Sequence, residues 1–579
     1  MFPKPNLRMI LWATLAMALL MNYVTWLHDY PPAAPVVDQA ASTGAQSVPG
    51  AGTNAAPALG AAVPSLTAPT APAAPTLGAA ENVAGTASAG APLAPAAAVV
   101  PAARRVHVVT DVLDVEVSLE GGELTRADLL AYPLVKGQPT PVRLLNRDTG
   151  ESLFVVQSGL TGAAGAAMPT HLAGFTTPVS DLQLRAGQDE LRLPLTWTDG
   201  QGVTVTKTYI FRRGQYSIDL DYQVQNASPR SWEFAPYAQL LRNNQPVETS
   251  YFHPESYAYK GPAYDDGHKY QKLKLGKEPP TLDQQVDGGW IASLQHHFVA
   301  AIVPPAGAAW HYQLTTRGNE YLLAATGPAR TLGPGTGADV RQTLYVGPKL
   351  QALLEKASPR LYLVTDYGKL SVLAQPLFWL LDKVHSLVGN WGWTIMIATL
   401  LLKLLFYPLS EKSMRSMARM KALQPRIKAL QEQYKDQRDK LGKATMELYQ
   451  REKVNPVAGC LPMLIQFPVF IAFYWVLLES VEMRQAPFAG WIGDLSARDP
   501  FFILPVLMAG ANYINFKLNP QMGDPAQQKM FMIMQIAMPV MFAFMPSGLV
   551  LYWTTNTVLS ILQQWNINRR LALQTKARN

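Results

Sequence analysis

The sequence predicts a multi-span α-helical membrane protein with six transmembrane helices and one large all-β sandwich domain outside the bilayer. Three observations carry this prediction. Only 16% of the 579 residues are charged, against about a quarter in soluble domains, and the deficit lies near the N-terminus and after residue 390. Residues 105–350 instead hold short branched and aromatic stretches bounded by turn residues, the pattern of strands. The segments between the later apolar runs alternate in charge as loops on opposite sides of a membrane do. The formal charge is +8, and the single cysteine, Cys460, excludes an intramolecular disulfide, a thiolate zinc cluster and a CxxC redox site.

Residues 1–30 read as an N-terminal transmembrane anchor. Lys4 and Arg8 precede a run from Met9 to Leu27 broken only by Thr14, Asn22 and Thr25. Its 19 residues reach roughly 28 Å as a helix, close to a hydrocarbon core of about 30 Å. A cleaved signal peptide ending at Ala16-Met17-Ala18 is the competing reading. Cleavage there would leave a short apolar region before the cut and a greasy new terminus after it, so the anchor is favoured. The basic flank places the N-terminus in the cytoplasm.

Residues 31–104 form an Ala/Pro-rich linker. Positions 31–100 contain 25 Ala and 11 Pro, and their only charges are Asp38 and Glu81. Proline interrupts any helix that alanine favours, and few large side chains are present to form a core, so a disordered tether is expected. Residues 105–350 then read as one β sandwich, with Gly121-Gly122, Arg213-Gly214 and Asn226–Pro229 as turns. His296 and His297, if on a strand, would point to opposite faces and could not easily share a metal. Gly333-x-Gly335-x-Gly337 lacks the Lys-Ser/Thr of a phosphate loop and reads as a surface turn. No catalytic constellation is indicated, so the expectation is a non-enzyme without cofactor or metal.

Residues 351–390 connect to the membrane part. Leu370, Leu373, Leu377, Leu380, Leu381 and Val384 recur near helical spacing among Lys369, Asp382, Lys383 and His385, which predicts an amphipathic helix at the outer surface. Apolar runs follow at 391–409, 460–478, 501–516, 530–545 and 549–565. The intervening segments carry +6 (410–459), −2 (479–500) and +1 (517–529), and the short tail 566–579 carries Arg569, Arg570, Lys576 and Arg578 without an acid. Six spans with both ends in the cytoplasm put every basic segment on one side and the β domain on the other.

The basic segment 410–459 predicts two short amphipathic helices in a hairpin, with a weak point before Pro425. Its cations Arg415, Arg419, Lys421, Arg426 and Lys428 suit acidic lipid headgroups or ribosomal RNA, and its methionines suit varied apolar partners. A connector that only enforces orientation is the plainer alternative. Within the spans, polar groups recur at Thr399, Lys403, Gln466, Asn512, Gln535 and Asn556. An intramembrane ammonium is costly unless it snorkels to the headgroups or faces a wet cavity. The second reading predicts a hydrophilic groove in the inner leaflet, lined by these six residues. No Asp or Glu lies deep in a span, which disfavours the runner-up function, a solute channel or transporter.

Several motifs in order then resemble the YidC membrane protein insertases (the YidC/Oxa/Alb family). They are Lys453-Val-Asn-Pro-Val-Ala-Gly-Cys460-Leu-Pro-Met-Leu-Ile-Gln466-Phe-Pro468, Glu482-Met-Arg-Gln-Ala-Pro-Phe488 and Pro546-Ser-Gly-Leu-Val-Leu-Tyr-Trp553. Gly392-Trp393, Tyr407-Pro408-Leu409, Met420–Pro425, Tyr345-Val-Gly-Pro348 and Gln157-Ser-Gly-Leu-Thr161 fit the same family, the last two its Gram-negative periplasmic domain. The resemblance implies an inner-membrane insertase and chaperone that acts alone or with the Sec translocon. It further implies a five-helix core at 391–565, a periplasmic β super-sandwich and no nucleotide requirement. Implied partners are nascent inner-membrane proteins, SecYEG and SecDF, ribosome–nascent chains and the bilayer. The family's groove carries an arginine where this chain has Lys403, which keeps the charge and loses the planar fork. On this reading Phe470, Phe473 and Trp553 mark the slide along which a substrate's apolar segment leaves for lipid.

Overall fold

The computed structural model describes residues 59–64, 104–148, 152–163, 165–244, 256, 258–276, 280–434, 437–452, 461–518 and 525–576. The expected anchor 1–30, most of the linker, and Cys460 with the residues before it from Lys453 lie outside them.

The β part begins at Arg105–Val109 and ends at Thr336–Pro348, in two sheets of eleven and eight strands. The larger sheet is centred on Phe154–Thr161, Trp232–Asn243 and Glu320–Thr326. The smaller sheet is centred on Phe298–Val303, Thr336–Pro348 and Ser217–Asn226. Strands with one wet face alternate in burial, as Glu190–Thr198 does, so that Leu191, Leu193, Leu195 and Trp197 enter the core. Phe154–Thr161 is buried at every position. One face of it meets the opposite sheet through Phe154, Val156 and Leu160. The other packs Val155 with Leu241 and Leu322 against Leu59 of the linker.

That contact corrects the expectation for the linker. The turn Leu59–Ala61 and residues 62–64 are ordered against the sandwich, and Leu59 is buried. Composition reveals only that a segment lacks a core of its own. It says nothing of an apolar pocket offered by a domain a hundred residues away.

His296 and His297 also differ from expectation. They occupy the turn between Trp290–Leu294 and Phe298–Val303, where their rings stack 3.8 Å apart instead of facing opposite ways. The His296 Nε2–H donates to the carbonyl of Leu478, 2.8 Å away on the first helix after the basic segment. This turn is one of the seams between sandwich and helices. Arg484 donates to the carbonyl of Pro133 (2.8 Å), Lys136 to the carbonyls of Gln485 and Gly493, and Val481 joins the sandwich core. Burial holds the His296 imidazole down at about 3 and pushes His297 well below the ordinary 6.5. Groups held below their unfolded value contribute stability that is complete above pH 6.5 and is lost as the pH falls below it. At pH 5 the neutral His296 has given up about 2 kcal/mol, and His297 acts in the same direction. The Tm of the detergent-solubilised protein should therefore fall between pH 7 and 5, and the His296→Gln/His297→Gln variant should flatten that dependence. An unchanged slope in the variant would assign the effect to other groups.

Ten helices follow among the described residues: α1 Gln351–Ala357, α2 Ser371–Val388, α3 Trp391–Leu405, α4 Tyr407–Ala422, α5 Gln424–Gln433, α6 Arg438–Arg451, α7 Leu461–Glu479, α8 Ile503–Leu518, α9 Pro525–Phe542 and α10 Ser547–Lys576. Helix α2 is the expected amphipathic element with a rotated face. Ala374, Leu377, Phe378, Leu381 and Val384 are buried against α3 and α7, while Leu373 faces outward beside Val372, Trp379 and Leu387. The apolar run 391–409 is broken at Phe406, where α3 and α4 meet at 65°. The segment 410–459 holds parts of three helices, α4 to α6, with the predicted break at Leu423 before Pro425. The run 530–545 begins inside a helix of 18 residues that starts at Pro525 and ends at Phe542, three residues short of the run's end. The tail is no separate element, because α10 continues through 566–576 in a helix of 30 residues.

Among the described residues no single helix is long and apolar enough to cross a membrane, whereas α3 with Tyr407–Ser416 qualifies as a bent pair. The bundle's outer surface is nonetheless greasy. Leu400, Leu401, Leu404 and Leu405 on α3, Val506, Leu507 and Ile514 on α8, Ile533 and Val540 on α9, and Leu562 on α10 are exposed.

Candidate functional site

The site is a cavity between α3, α4, α7 and α10 whose largely apolar walls carry polar groups on both sides. Its position begins with the start of α3. The Asn390 side chain caps that helix by accepting from the amides of Gly392 (2.9 Å) and Trp393 (3.2 Å). Gly392 lets the loop that carries Phe488 close down, since a Cβ there would lie 2.0 Å from the Phe488 ring. From this fixed end Ile395, Ala398 and Thr399 face the bundle interior, and Lys403 comes one turn after Thr399, in the last turn before the bend at Phe406. The helix C-terminus is the favourable end for a cation.

The cavity encloses about 60 Å³, room for a few waters. Thr399, Leu402, Lys403, Phe406, Leu409 and Ser410 line one side, and Gln466, Val469, Tyr552 and Asn556 the other. Lys403 Nζ donates to Ser560 Oγ at 2.5 Å, and Ser560 Oγ donates to the carbonyl of Asn556 (2.8 Å). The lysine stem therefore crosses the cavity toward α10 instead of extending along α4 to the helix end, which disfavours snorkelling as its sole explanation. Thr399 Oγ1 donates to the carbonyl of Ile395 (2.6 Å), so what it can offer the cavity is its acceptor lone pairs. Gln466 and Tyr552 face the same cavity from α7 and α10. The arrangement can hold water and attract an anionic group. Among the described residues no three His, Cys, Asp or Glu are grouped to hold a metal ion.

Four of the six predicted groove residues, Thr399, Lys403, Gln466 and Asn556, thus share one cavity. Two do not. Asn512 is buried between α8 and α10, where Thr557 Oγ1 donates to its Oδ1 at 3.3 Å. Gln535 is half-buried on α9 away from the cavity lining. Polarity inside an apolar run marks a residue that needs a partner, and helix packing supplied Asn512 with a different one. Ser560 and Tyr552 were missed. Ser560 stands four residues after Asn556 on α10 and so shares its face, which is the signal that could have found it.

The predicted slide also divides. Phe470 meets Trp553 edge-on at 5.0 Å, and Phe542 joins them, 5.4 Å from Trp553. Phe473 is wholly buried, stacked on Tyr552 at 4.2 Å, and is a core residue rather than a surface one. In the basic segment Arg415 pairs with Glu411 and Arg426 with Glu452, each at 2.6 Å, while Arg419 and Lys428 are exposed. The side chain of Lys421 lies outside the described residues.

Fold and site together define a class: a large β sandwich joined to a helical bundle with an apolar outer surface and a lysine-bearing internal cavity. Family comparison agrees in both halves. The model described as YidC periplasmic domain matches residues 105–380, and the 60Kd inner membrane protein model matches 383–575. Membrane protein insertase YidC of Thioalkalivibrio sulfidiphilus is 44% identical over 98% of both chains. That of Nitrosococcus oceani is 40% identical over 98% of this chain and 99% of its own. A crystal structure of an active YidC insertase with its first transmembrane domain resolved is 21% identical, covers 80% of this chain and 92% of its own, and superposes with a TM-score of 0.36. The chain belongs to the YidC family of membrane protein insertases. Its function is membrane protein insertion, its location the inner membrane, and its β sandwich is periplasmic.

Proposed function

We propose that insertion runs through the Lys403 cavity, in a protein of six spans with both termini in the cytoplasm. The observation that carries this reading is the lysine itself, turned inward on Ser560 beside Thr399, Gln466 and Asn556, while leucine, isoleucine and valine side chains of α3, α8 and α9 face outward. A substrate must bring polar flanking groups across lipid, at several kcal/mol for each unpaired group. A hydrated cavity reaching partway through the bilayer removes much of that cost. The positive charge draws in acidic residues of the translocated tail, and the apolar segment leaves past Phe470 and Trp553. Free energy comes from transferring that segment into lipid, so the protein lowers a barrier without nucleotide, cofactor or covalent chemistry. Nascent chains on the ribosome meet Arg419, Lys428 and their neighbours Arg415, Lys421 and Arg426, and SecYEG and SecDF are the partners for larger substrates.

Cysteine labelling on a Cys460→Ser background tests orientation and hydration together. Cysteines at 399, 428 and 556 should react with a membrane-impermeant maleimide from the cytoplasmic side only, and one in 105–350 from the periplasmic side only. Labelling of position 428 from the periplasm in intact cells would overturn the topology. Inert cysteines at 399 and 556 would overturn the wet cavity.

A further inference from the structure

The groove that holds the linker on the larger sheet has features that its present occupant does not use. Its floor is the outward face of Phe154–Thr161 and Trp232–Asn243, where Gln157 and Gln239 are direct cross-strand partners. Three carbonyls of the linker, each two residues from the next, are read from this floor. Gly60 O accepts from Gln157 Nε2 (3.2 Å) and His171 Nε2 (3.0 Å), Ala62 O from Gln239 Nε2 (3.1 Å), and Pro64 O from Thr161 Oγ1 (2.5 Å). His171 is fixed as a donor at Nε2, because its Nδ1 accepts from the Tyr237 hydroxyl at 2.6 Å. These contacts address main chain and are indifferent to sequence. Selectivity enters in two places: Leu59 fills the pocket of Val155, Leu241 and Leu322, and a Cβ on Gly60 would press on Leu241 at 3.3 Å.

Three observations indicate that this occupant can exchange. Gln239 is fully buried, and its Oε1 has no partner among the described residues, so the groove offers an acceptor that the linker leaves unused. A polar cavity of about 150 Å³ continues from Gly60 past Glu123 and Arg147 to Arg105, beyond the space that residues 59–64 occupy. The linker also repeats the seated motif, Leu59-Gly60-Ala61-Ala62 recurring as Leu77-Gly78-Ala79-Ala80, each with a proline two residues before the leucine. One apolar side chain and four hydrogen bonds must offset the ordering of six residues, opposing effects of similar size.

We propose that this periplasmic groove is a binding site for extended peptide, a large apolar residue followed by small ones, and that the linker is its built-in competitor. The occupant it would take in trans is a translocated, still unfolded segment of a substrate chain, which displaces Leu59–Pro64 and presents an N–H to Gln239. The site is separate from the Lys403 cavity, and its test does not depend on insertion.

The probe is a fluorescein-labelled peptide with the sequence of residues 57–64, titrated by anisotropy into the detergent-solubilised full chain. The L59D/L77D variant removes both linker copies from competition and changes no residue of the sandwich. A tethered competitor acts at millimolar effective concentration, so the double variant should bind the probe about tenfold more tightly than the unmodified chain. The same peptide carrying L59D should not bind. Absence of saturable binding to the double variant, equal affinity in the two proteins, or retained binding of the L59D peptide would each overturn the proposal.

Discussion

Lys403→Ala should slow insertion of substrates with acidic translocated tails about tenfold, the kinetic equivalent of roughly 1.4 kcal/mol, and leave neutral tails within about a factor of two. The size follows from one ion-pair interaction in a partly wet site, where the effective dielectric lies well above that of dry protein. Lys403→Arg should retain most of the activity because charge and reach toward Ser560 are kept. Lys403→Glu should be the worst variant for acidic tails, since attraction becomes repulsion. The measurement is protease protection of matched single-span substrates, differing only in tail charge, in liposomes without nucleotide. Equal slowing of every substrate would remove electrostatic attraction from the mechanism and leave hydration of the cavity as the lysine's role. Thr399, Gln466 and Asn556 provide the comparison: replacing them with apolar residues should affect acidic and neutral tails alike, because they hold water and carry no charge.

Cutting the buried ion pair at the seam should have the largest effect on stability. Lys349 Nζ lies 3.8 Å from a Glu479 carboxylate oxygen, and the two side chains are only 3% and 6% exposed. Lys349 leaves the last strand of the sandwich and Glu479 ends α7, so the pair joins the periplasmic domain to the helical bundle. Burial pushes the Lys349 amine below its ordinary value, and Glu479 opposes that shift. Removing one partner strands the other charge in a dry site, at about 3–5 kcal/mol. Lys349→Met and Glu479→Leu should each lower the Tm by roughly 10 °C and expose the seam to trypsin. The double variant should recover most of the loss, because the apolar pair has no charge left to solvate. Full stability in either single variant would show that water or Lys272, itself paired with Asp366 at 2.7 Å, already compensates.

The sandwich was legible because strand alternation is a local signal. Positions such as Leu191, Leu193 and Leu195 declare their face within a single element. The break before Pro425 was legible for the same reason, since proline's missing N–H acts on its own helix. The rotated face of α2 was not, because apolar residues occupy both its sides and the sequence cannot say which side meets protein and which meets lipid. The stack of His296 on His297 likewise required a turn whose residues looked like strand.

The sequence by itself determined the class of protein, the order of its parts and the presence of a costly cation at 403, all consequences of local composition, period and charge. Tertiary structure alone decided which polar residues share that cation's cavity. Thr399, Gln466 and Asn556 turn toward it, Asn512 packs against Thr557 instead, and Ser560 supplies the oxygen that holds the ammonium. It also decided that six residues of the Ala/Pro-rich linker dock on the sandwich. The physical reason is the same in both cases. A polar group or a lone leucine states a need for a partner, and the partner lies on another element whose approach no local pattern encodes.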